Sequence, residues 1–282
     1  MTTPYTSEHV TLNGFKMHFL DWGNAEAPPL LMVHGLTRQA HAFDGTAERL
    51  RERYHCLVID MRGRGESDWT PPETYNYTQY VADVLAFLET RGLKQLHYAG
   101  TSMGGHIGMY LAEKQPEMFL SFLINDIGPE SAAAGGERIQ KHVAGTPAVF
   151  DSVDDCVERE MERFHWLRSL PKAQLESVMQ WHMRKNDDGT WRYHYDPEII
   201  RGRITGPEQR QAAQQQMWRG FKNLACPILL VRGQETDLLE MSCVDAMQAA
   251  QPGMALVHVP GVGHAPSLNE YPAVQAIKKF YE

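Results

Sequence analysis

Short apolar runs alternate with amphipathic segments along most of this 282-residue chain, and each run ends at a turn. The runs are Pro29–Val33, Cys56–Ile59, Leu96–Ala99, Phe119–Ile124, Pro227–Val231 and Ala255–Val259. A strand that is apolar at nearly every position has to be covered on both faces. Repeated units of strand and helix then imply a largely parallel sheet between layers of helices. The intervening segments Phe43–Arg53, Tyr77–Arg91, His106–Lys114, Ser242–Gln251 and Ala273–Phe280 read as those helices. In the second, Tyr77, Tyr80, Val81, Val84, Leu85 and Leu88 share one face, and Gly92 stops the helix. Two extended stretches, His9–Leu12 and Phe15–Asp21, flank Asn13-Gly14, which is a hairpin signal. Open sheets of this kind carry their chemistry at the carboxyl ends of the strands. Gly35, Asp60, Ser102, Asp126, Asp237 and His264 all fall there.

The rhythm breaks between about residues 129 and 223, where no clear buried strand is visible. This stretch has helix-like runs, Val153–Trp166 and Pro171–Met183, and four of the six tryptophans: Trp166, Trp181, Trp191 and Trp218. It reads as a helical cap inserted into a core domain made of residues 1–128 and 224–282. Its tryptophans, with Phe150, Phe164, His182 and Tyr193, either line an apolar pocket or pack the cap onto the core, and packing is the commoner fate of such residues.

Leu96–Ala99 runs directly into Gly100-Thr101-Ser102-Met103-Gly104. A serine hydroxyl attacks a carbonyl only if a base takes its proton and if it stands clear of the backbone. A sharp strand-to-helix turn meets the second need, provided the residues two before and two after are small. Gly100 and Gly104 satisfy that condition and make Ser102 the candidate nucleophile. His34-Gly35-Leu36 follows another strand end, where a glycine lets the chain turn so that the Leu36 N–H faces Ser102. With the Met103 N–H it forms a candidate oxyanion hole. Among 13 histidines, His264 stands out because Pro260-Gly261-Val262-Gly263 puts it on a loop after the last strand, and because it follows the serine in chain order. His34 reads as a structural turn residue, His106 as facing away from the serine, and His258 as either buried or exposed.

The formal net charge of −8 argues against broad binding to nucleic acid or to anionic membranes. Cys56, Cys156, Cys226 and Cys243 form no C-x-x-C pair and no zinc-spaced cluster, so they read as buried reduced thiols. The first residues lack a basic and then apolar leader, and no apolar run reaches the roughly 20 residues that span a bilayer. The expectation is a cytoplasmic protein, as a monomer or homodimer. With no phosphate loop, no dinucleotide fingerprint and no H-E-x-x-H, neither a cofactor nor a metal is expected.

His34-Gly35, the loop Asp60-Met61-Arg62-Gly63-Arg64-Gly65-Glu66-Ser67, the Ser102 elbow and Gly261-Val262-Gly263-His264 occur in an order and spacing that resemble the α/β-hydrolase superfamily. The resemblance covers essentially the whole chain. It implies an eight-stranded, mostly parallel sheet with helices on both faces, a helical cap after the sixth strand, and a structural role for the Asp60–Ser67 loop. It also implies a triad acid. Most members carry it at the fourth residue of a turn after the seventh strand, which here reads Gly233-Gln234-Glu235-Thr236, so Asp237 comes one residue late. A minority branch carries an aspartate 24 residues past the serine, and Asn125-Asp126-Ile127-Gly128-Pro129 places Asp126 there. Asp126 is the preferred acid and Asp237 the alternative, the loser being a solvated or turn-capping aspartate. Ser102 also sets the chain apart from relatives with an aspartate at the elbow. The expected function is hydrolysis of a small or medium carboxylic ester through an acyl-enzyme. The alternatives are carbon–carbon bond hydrolysis of ring-cleavage products, lactone or amide hydrolysis, and a ligand receptor that keeps the triad.

Overall fold

A computed structural model of the chain describes residues 4–163, 179–200 and 206–282. Its main sheet has eight strands: β1 (Thr6–Leu12), β2 (Phe15–Asp21), β3 (Pro29–Val33), β4 (His55–Ile59), β5 (Leu96–Thr101), β6 (Phe119–Asn125), β9 (Ile228–Gly233) and β10 (Ala255–Val259). Their spatial order is β1-β2-β4-β3-β5-β6-β9-β10. β1 and β2 form the antiparallel hairpin read from Asn13-Gly14, and β2 also runs antiparallel to β4. The remaining pairs are parallel.

Alternate residues of the central strands feed two separate cores. Leu31 and Val33 of β3, with Leu57 and Ile59 of β4, face the helices Tyr77–Thr90, Met103–Lys114 and Met241–Ala250. Leu30, Met32, Cys56 and Val58 point the other way, toward Asp44–Leu50 and Tyr271–Phe280. Burial on both faces is why these strands are apolar throughout. The first helix is shorter than Phe43–Arg53 suggested: a 3₁₀ turn over Ala40–Phe43 leads into Asp44–Leu50. The helix after the elbow starts three residues earlier than expected, at Met103, directly behind the serine.

The segment between β6 and β9 is not uniformly helical. It has helices Ala133–Ala144, Val153–Arg163 and Pro207–Asn223, but also a two-stranded hairpin of β7 (Met183–Lys185) and β8 (Trp191–Tyr193). Each strand is three residues long, too short for an alternation pattern to register. The expected helix ends, Trp166 and most of Pro171–Met183, lie outside the described residues, as does Phe164. Pro207–Asn223 lies directly on Met103–Lys114: a Cβ added to Gly220 would meet the Met109 carbonyl oxygen at 1.9 Å. Phe150 and Tyr193 are buried in the main core, with Trp191 and Trp218 packed against it. These four aromatics pack on the core, and none of them lines the cavity at Ser102.

Among the described residues no helix is long and apolar enough to cross a membrane. All four cysteines are unpaired, and Cys226 is only half-buried. Burial pushes the Cys56 and Cys156 thiols up to about 12 and those of Cys226 and Cys243 to about 11, so none is a thiolate at neutral pH.

Candidate active site

Ser102 lies between β5 and the Met103–Lys114 helix with φ 50° and ψ −111°. A non-glycine residue is rarely held there, and a tight frame has to enforce it. The frame is visible at the two glycines of the elbow. A Cβ on Gly104 would sit 2.0 Å from the Val33 carbonyl oxygen, and one on Gly100 would sit 2.5 Å from the Gly104 carbonyl carbon. Gly35 is different. A Cβ there would meet Ser102 Cβ at 3.7 Å, an ordinary contact, and its backbone is not at positive φ. The turn therefore does not demand glycine for backbone reasons; what glycine leaves is open space beside Ser102.

The parallel register brings the candidate acid next to the candidate nucleophile. Thr101 of β5 is paired with Asn125 of β6, and Asn125 with Val231 of β9. One residue further on, the Ser102 N–H donates to Asn125 O (2.9 Å) and the Asp126 N–H to Val231 O (2.8 Å). Asp126 is fully buried and, like Ser102, has a positive φ, at 55°. Its Oδ1 accepts from the Gly233 N–H (2.9 Å), and its Oδ2 lies 2.9 Å from His264 Nδ1. His264 Nε2 lies 2.8 Å from Ser102 Oγ. A carboxylate only accepts, so Nδ1 carries the imidazole proton and Nε2 accepts from the serine hydroxyl. Asn125 adds a tie that the sequence did not reveal, since its Nδ2 donates to Thr101 Oγ1 (3.0 Å) and to Pro266 O in the histidine loop (2.9 Å).

Asp237 is engaged elsewhere. Arg138, on the Ala133–Ala144 helix, donates to both of its oxygens, with Nη2 to Oδ1 at 2.7 Å. That guanidinium holds the Asp237 carboxyl below its usual range. It is Thr236, through Oγ1, that accepts from the Leu238 N–H (3.3 Å), so Asp237 does not cap this turn.

The peptide groups of the candidate oxyanion hole are held by their neighbours. His34 is fully buried, and its Nε2 accepts from the Met61 N–H (3.0 Å). Its Nδ1–H then donates to Gly35 O at 2.7 Å, and the Arg38 N–H reaches the same oxygen at 3.2 Å. Gly35 C=O and Leu36 N–H belong to one planar trans peptide, so fixing the carbonyl fixes the N–H in the opposite direction. Met103 is the first residue of its helix, where an N–H has no intrahelical acceptor and the helix dipole favours negative charge. His106 is held away from the serine, bridging Tyr77 Oη (2.9 Å) and Gly128 O (3.1 Å), and His258 is exposed.

Burial pulls the His34 pKa down to about 4 from the usual 6.5, with Asp60 acting in the opposite direction. Between these values the unfolded chain binds a proton that the folded chain does not. Stability from this group is therefore present at neutral pH and lost as pH falls toward 4, by about 2 kcal/mol at pH 5. Urea unfolding at pH 7.5 and pH 5 is expected to show this slope, and His34→Asn to flatten it. An equal slope in both proteins would refute the assignment.

A cavity of about 330 Å³ opens over Ser102 and His264. Leu36, Arg38, His41, Ile139, Trp181 and His182 are among its walls. His41 stacks on Trp181 with ring centroids 3.6 Å apart and bonds to Asp44 through Nδ1 (2.9 Å). Of the aromatic and histidine residues considered for a pocket, Trp181 and His182 line it. Among the described residues no group of three or more His, Cys, Asp or Glu side chains is placed to hold a metal ion.

A model of the alpha/beta hydrolase fold family matches residues 28–271. A 3-hydroxybutyrate-oligomer hydrolase from Cupriavidus necator is 31% identical over 272 residues, covering 94% of this chain and 92% of that protein. Lipase 1 of Psychrobacter immobilis is 25% identical over 259 residues, covering 91% and 77%. The crystal structure of an alpha/beta hydrolase from Novosphingobium aromaticivorans has a TM-score of 0.90 and 31% identity, covering 100% of this chain and 99% of that one. Strand order, whole-length likeness and a family match over most of the sequence agree: this chain belongs to the α/β-hydrolase fold family, as one of its hydrolases.

Proposed function

We propose that this hydrolase cleaves small or medium carboxylic esters through an acyl-enzyme on Ser102. The observation that carries the reading is the unbroken chain from Asp126 to His264 to Ser102, at 2.9 and 2.8 Å, whose last two members line the cavity. Ser102 Oγ attacks the ester carbonyl while His264 Nε2 takes its proton. Asp126 stabilises the resulting imidazolium, and the Leu36 and Met103 N–H groups hold the oxyanion. The imidazolium then protonates the leaving alcohol, and water releases the acid by the same steps in reverse order. The segment carrying Trp181 and His182 acts as a cap that limits the size of the acyl and alcohol groups. Oligoesters of 3-hydroxy acids are natural first substrates, given what the Cupriavidus necator relative is named for.

A second serine–histidine–aspartate chain exists in the fold. Ser7 Oγ lies 2.8 Å from His18 Nε2, and His18 Nδ1 lies 2.7 Å from Asp60 Oδ2. Ser7 is exposed on a regular strand, outside the cavity and without the strained turn that Ser102 has. Hydrogen bonding alone therefore does not favour one serine over the other; the elbow and the cavity support Ser102. Peptide mapping after fluorophosphonate treatment is expected to find the adduct on Ser102 and none on Ser7. The companion measurement is turnover of p-nitrophenyl esters of increasing acyl length and of 3-hydroxybutyrate oligomers. Slow or absent turnover with tight retention of a ligand would favour a receptor, and an inert ester series with active carbon–carbon cleavage would favour that chemistry.

A further inference from the structure

Two arginines sit two residues apart in the loop after β4, and both are buried. Arg62 has a carboxylate partner: Nε and Nη2 grip Asp83 at 2.6 and 2.7 Å. Arg64 has none among the described residues. Its Nε donates to Leu36 O (3.0 Å), and its Nη1 donates to Arg62 O (2.7 Å) and Tyr80 Oη (2.9 Å). Its Nη2 reaches Met103 Sδ at 3.6 Å. These acceptors are all neutral. Both carboxylates of its own loop are engaged elsewhere, Asp60 with His18 and the N–H groups of Ala40 and Glu66, and the exposed Glu66 side chain with Arg184 and His194.

A fully buried guanidinium without a counter-ion is expensive to desolvate, and such a charge persists where something else uses it. The residues it touches suggest the use. Leu36 and Met103 carry the two N–H groups assigned above to the oxyanion, and Arg64 touches both residues, Leu36 at its carbonyl oxygen and Met103 at its thioether sulfur. His34 fixes the peptide on the N-terminal side of Leu36, and Arg64 fixes the one on the C-terminal side. The Arg64 backbone in turn meets the inserted segment. Arg64 and Tyr195 form an antiparallel bridge, with Gly65 N–H to His194 O (2.9 Å) and Asp196 N–H to Gly63 O (2.8 Å).

We propose that Arg64 is a positioning residue for the oxyanion hole, a buried cation that orients both donor residues and whose counter-charge arises only in the tetrahedral intermediate. The inference rests on the serine-hydrolase reading above. A cation unpaired in the resting state and attracted to negative charge in the transition state favours the latter selectively, so it raises kcat with little effect on substrate binding. Its bridge to Tyr195 makes the seating of the insertion part of the same support.

The test compares wild type, Arg64→Lys and Tyr80→Phe, with kcat expressed per serine titrated by fluorophosphonate. Tyr80→Phe removes one acceptor of the guanidinium while leaving the arginine in place. For Arg64→Lys, kcat is expected to fall about 100-fold with KM within about threefold. For Tyr80→Phe the fall is about threefold to tenfold. The affinity of a trifluoromethyl ketone, which forms an anionic hemiketal with the serine, should weaken by the same factors. Binding of the product acid should not change. A role confined to stability would lower the melting temperature and the titrated fraction while leaving kcat per titrated site and ketone affinity at wild-type values. That result overturns the proposal, and if Arg64→Lys yields no folded protein, the same result in Tyr80→Phe alone overturns it. A wild type that neither turns over esters nor takes up the label overturns the functional reading itself.

Discussion

Ser102→Ala is expected to lower kcat for ester hydrolysis by about a million-fold, leaving the residual acceleration of the cavity and the oxyanion donors. The substitution removes one oxygen from a half-buried position and leaves the elbow glycines, the Asn125 hydrogen bond to the residue 102 N–H, and the Asp126–His264 pair in place. The fold should persist, with a melting temperature within a few degrees of wild type. Alanine at φ 50° inherits the strain of the serine without its function. Steady-state turnover and fluorophosphonate labelling, measured on the same preparation, check the prediction. Retention of more than a few per cent of wild-type kcat would mean that another group attacks the carbonyl.

Asp126→Asn is expected to reduce kcat by about ten-thousand-fold, and Asp237→Asn by less than about threefold. The argument is one of donors and acceptors. Residue 126 has to accept twice, from the Gly233 N–H and from His264 Nδ1–H. A carboxylate has an oxygen for each, whereas a carboxamide has one oxygen and one NH₂. If the asparagine oxygen serves Gly233, its NH₂ faces His264 Nδ1 and pushes the ring into the tautomer whose Nε2 carries a proton. That nitrogen can no longer take the serine proton. If the amide turns over, its NH₂ confronts the Gly233 N–H and the backbone pairing beside β9 is lost. Asp237 has no such double duty. Its pair with Arg138 is partly exposed on both sides, with side-chain exposures of 40% and 37%, and pairs of that kind contribute at most about 1 kcal/mol. Equal losses in the two variants, or a larger loss at Asp237, would move the acid to the turn after β9.

The sheet was legible because its strands are short, apolar and separated by turns. β2, β3 and β10 begin and end at the residues read from sequence, since burial on a face and a turn residue at each end both leave marks in the primary structure. The elbow was legible for a steric reason: Gly100 and Gly104 lie where any side chain collides with backbone. Other features depend on contacts between distant segments. Spacing alone left both Asp126 and Asp237 as acid candidates, because it does not say what a side chain at the end of a turn faces. Only the register of β5, β6 and β9 sets Asp126 beside Ser102, and only the Ala133–Ala144 helix occupies Asp237. The tie from Asn125 to Pro266 and the grip of Arg64 on Leu36 span 141 and 28 residues of chain, and neither follows a local pattern. The β7–β8 hairpin escaped notice because six residues of mixed polarity carry too little periodic signal.

Arg138 and Asp237 join the segment between β6 and β9 to the turn after β9, while Ser102 and Asp126 both precede that segment in the chain. On the proposed assignment, nucleophile and acid are neighbours before that segment begins, and the turn after β9 has no proton-transfer partner to hold. That turn and the Ala133–Ala144 helix it grips are therefore best exchanged as one unit. A chimera that imports a relative's insertion along with the matching turn should fold and acquire a new substrate range. One that imports the insertion alone gives up the clasp at Arg138 and is the poorer starting point for redesign.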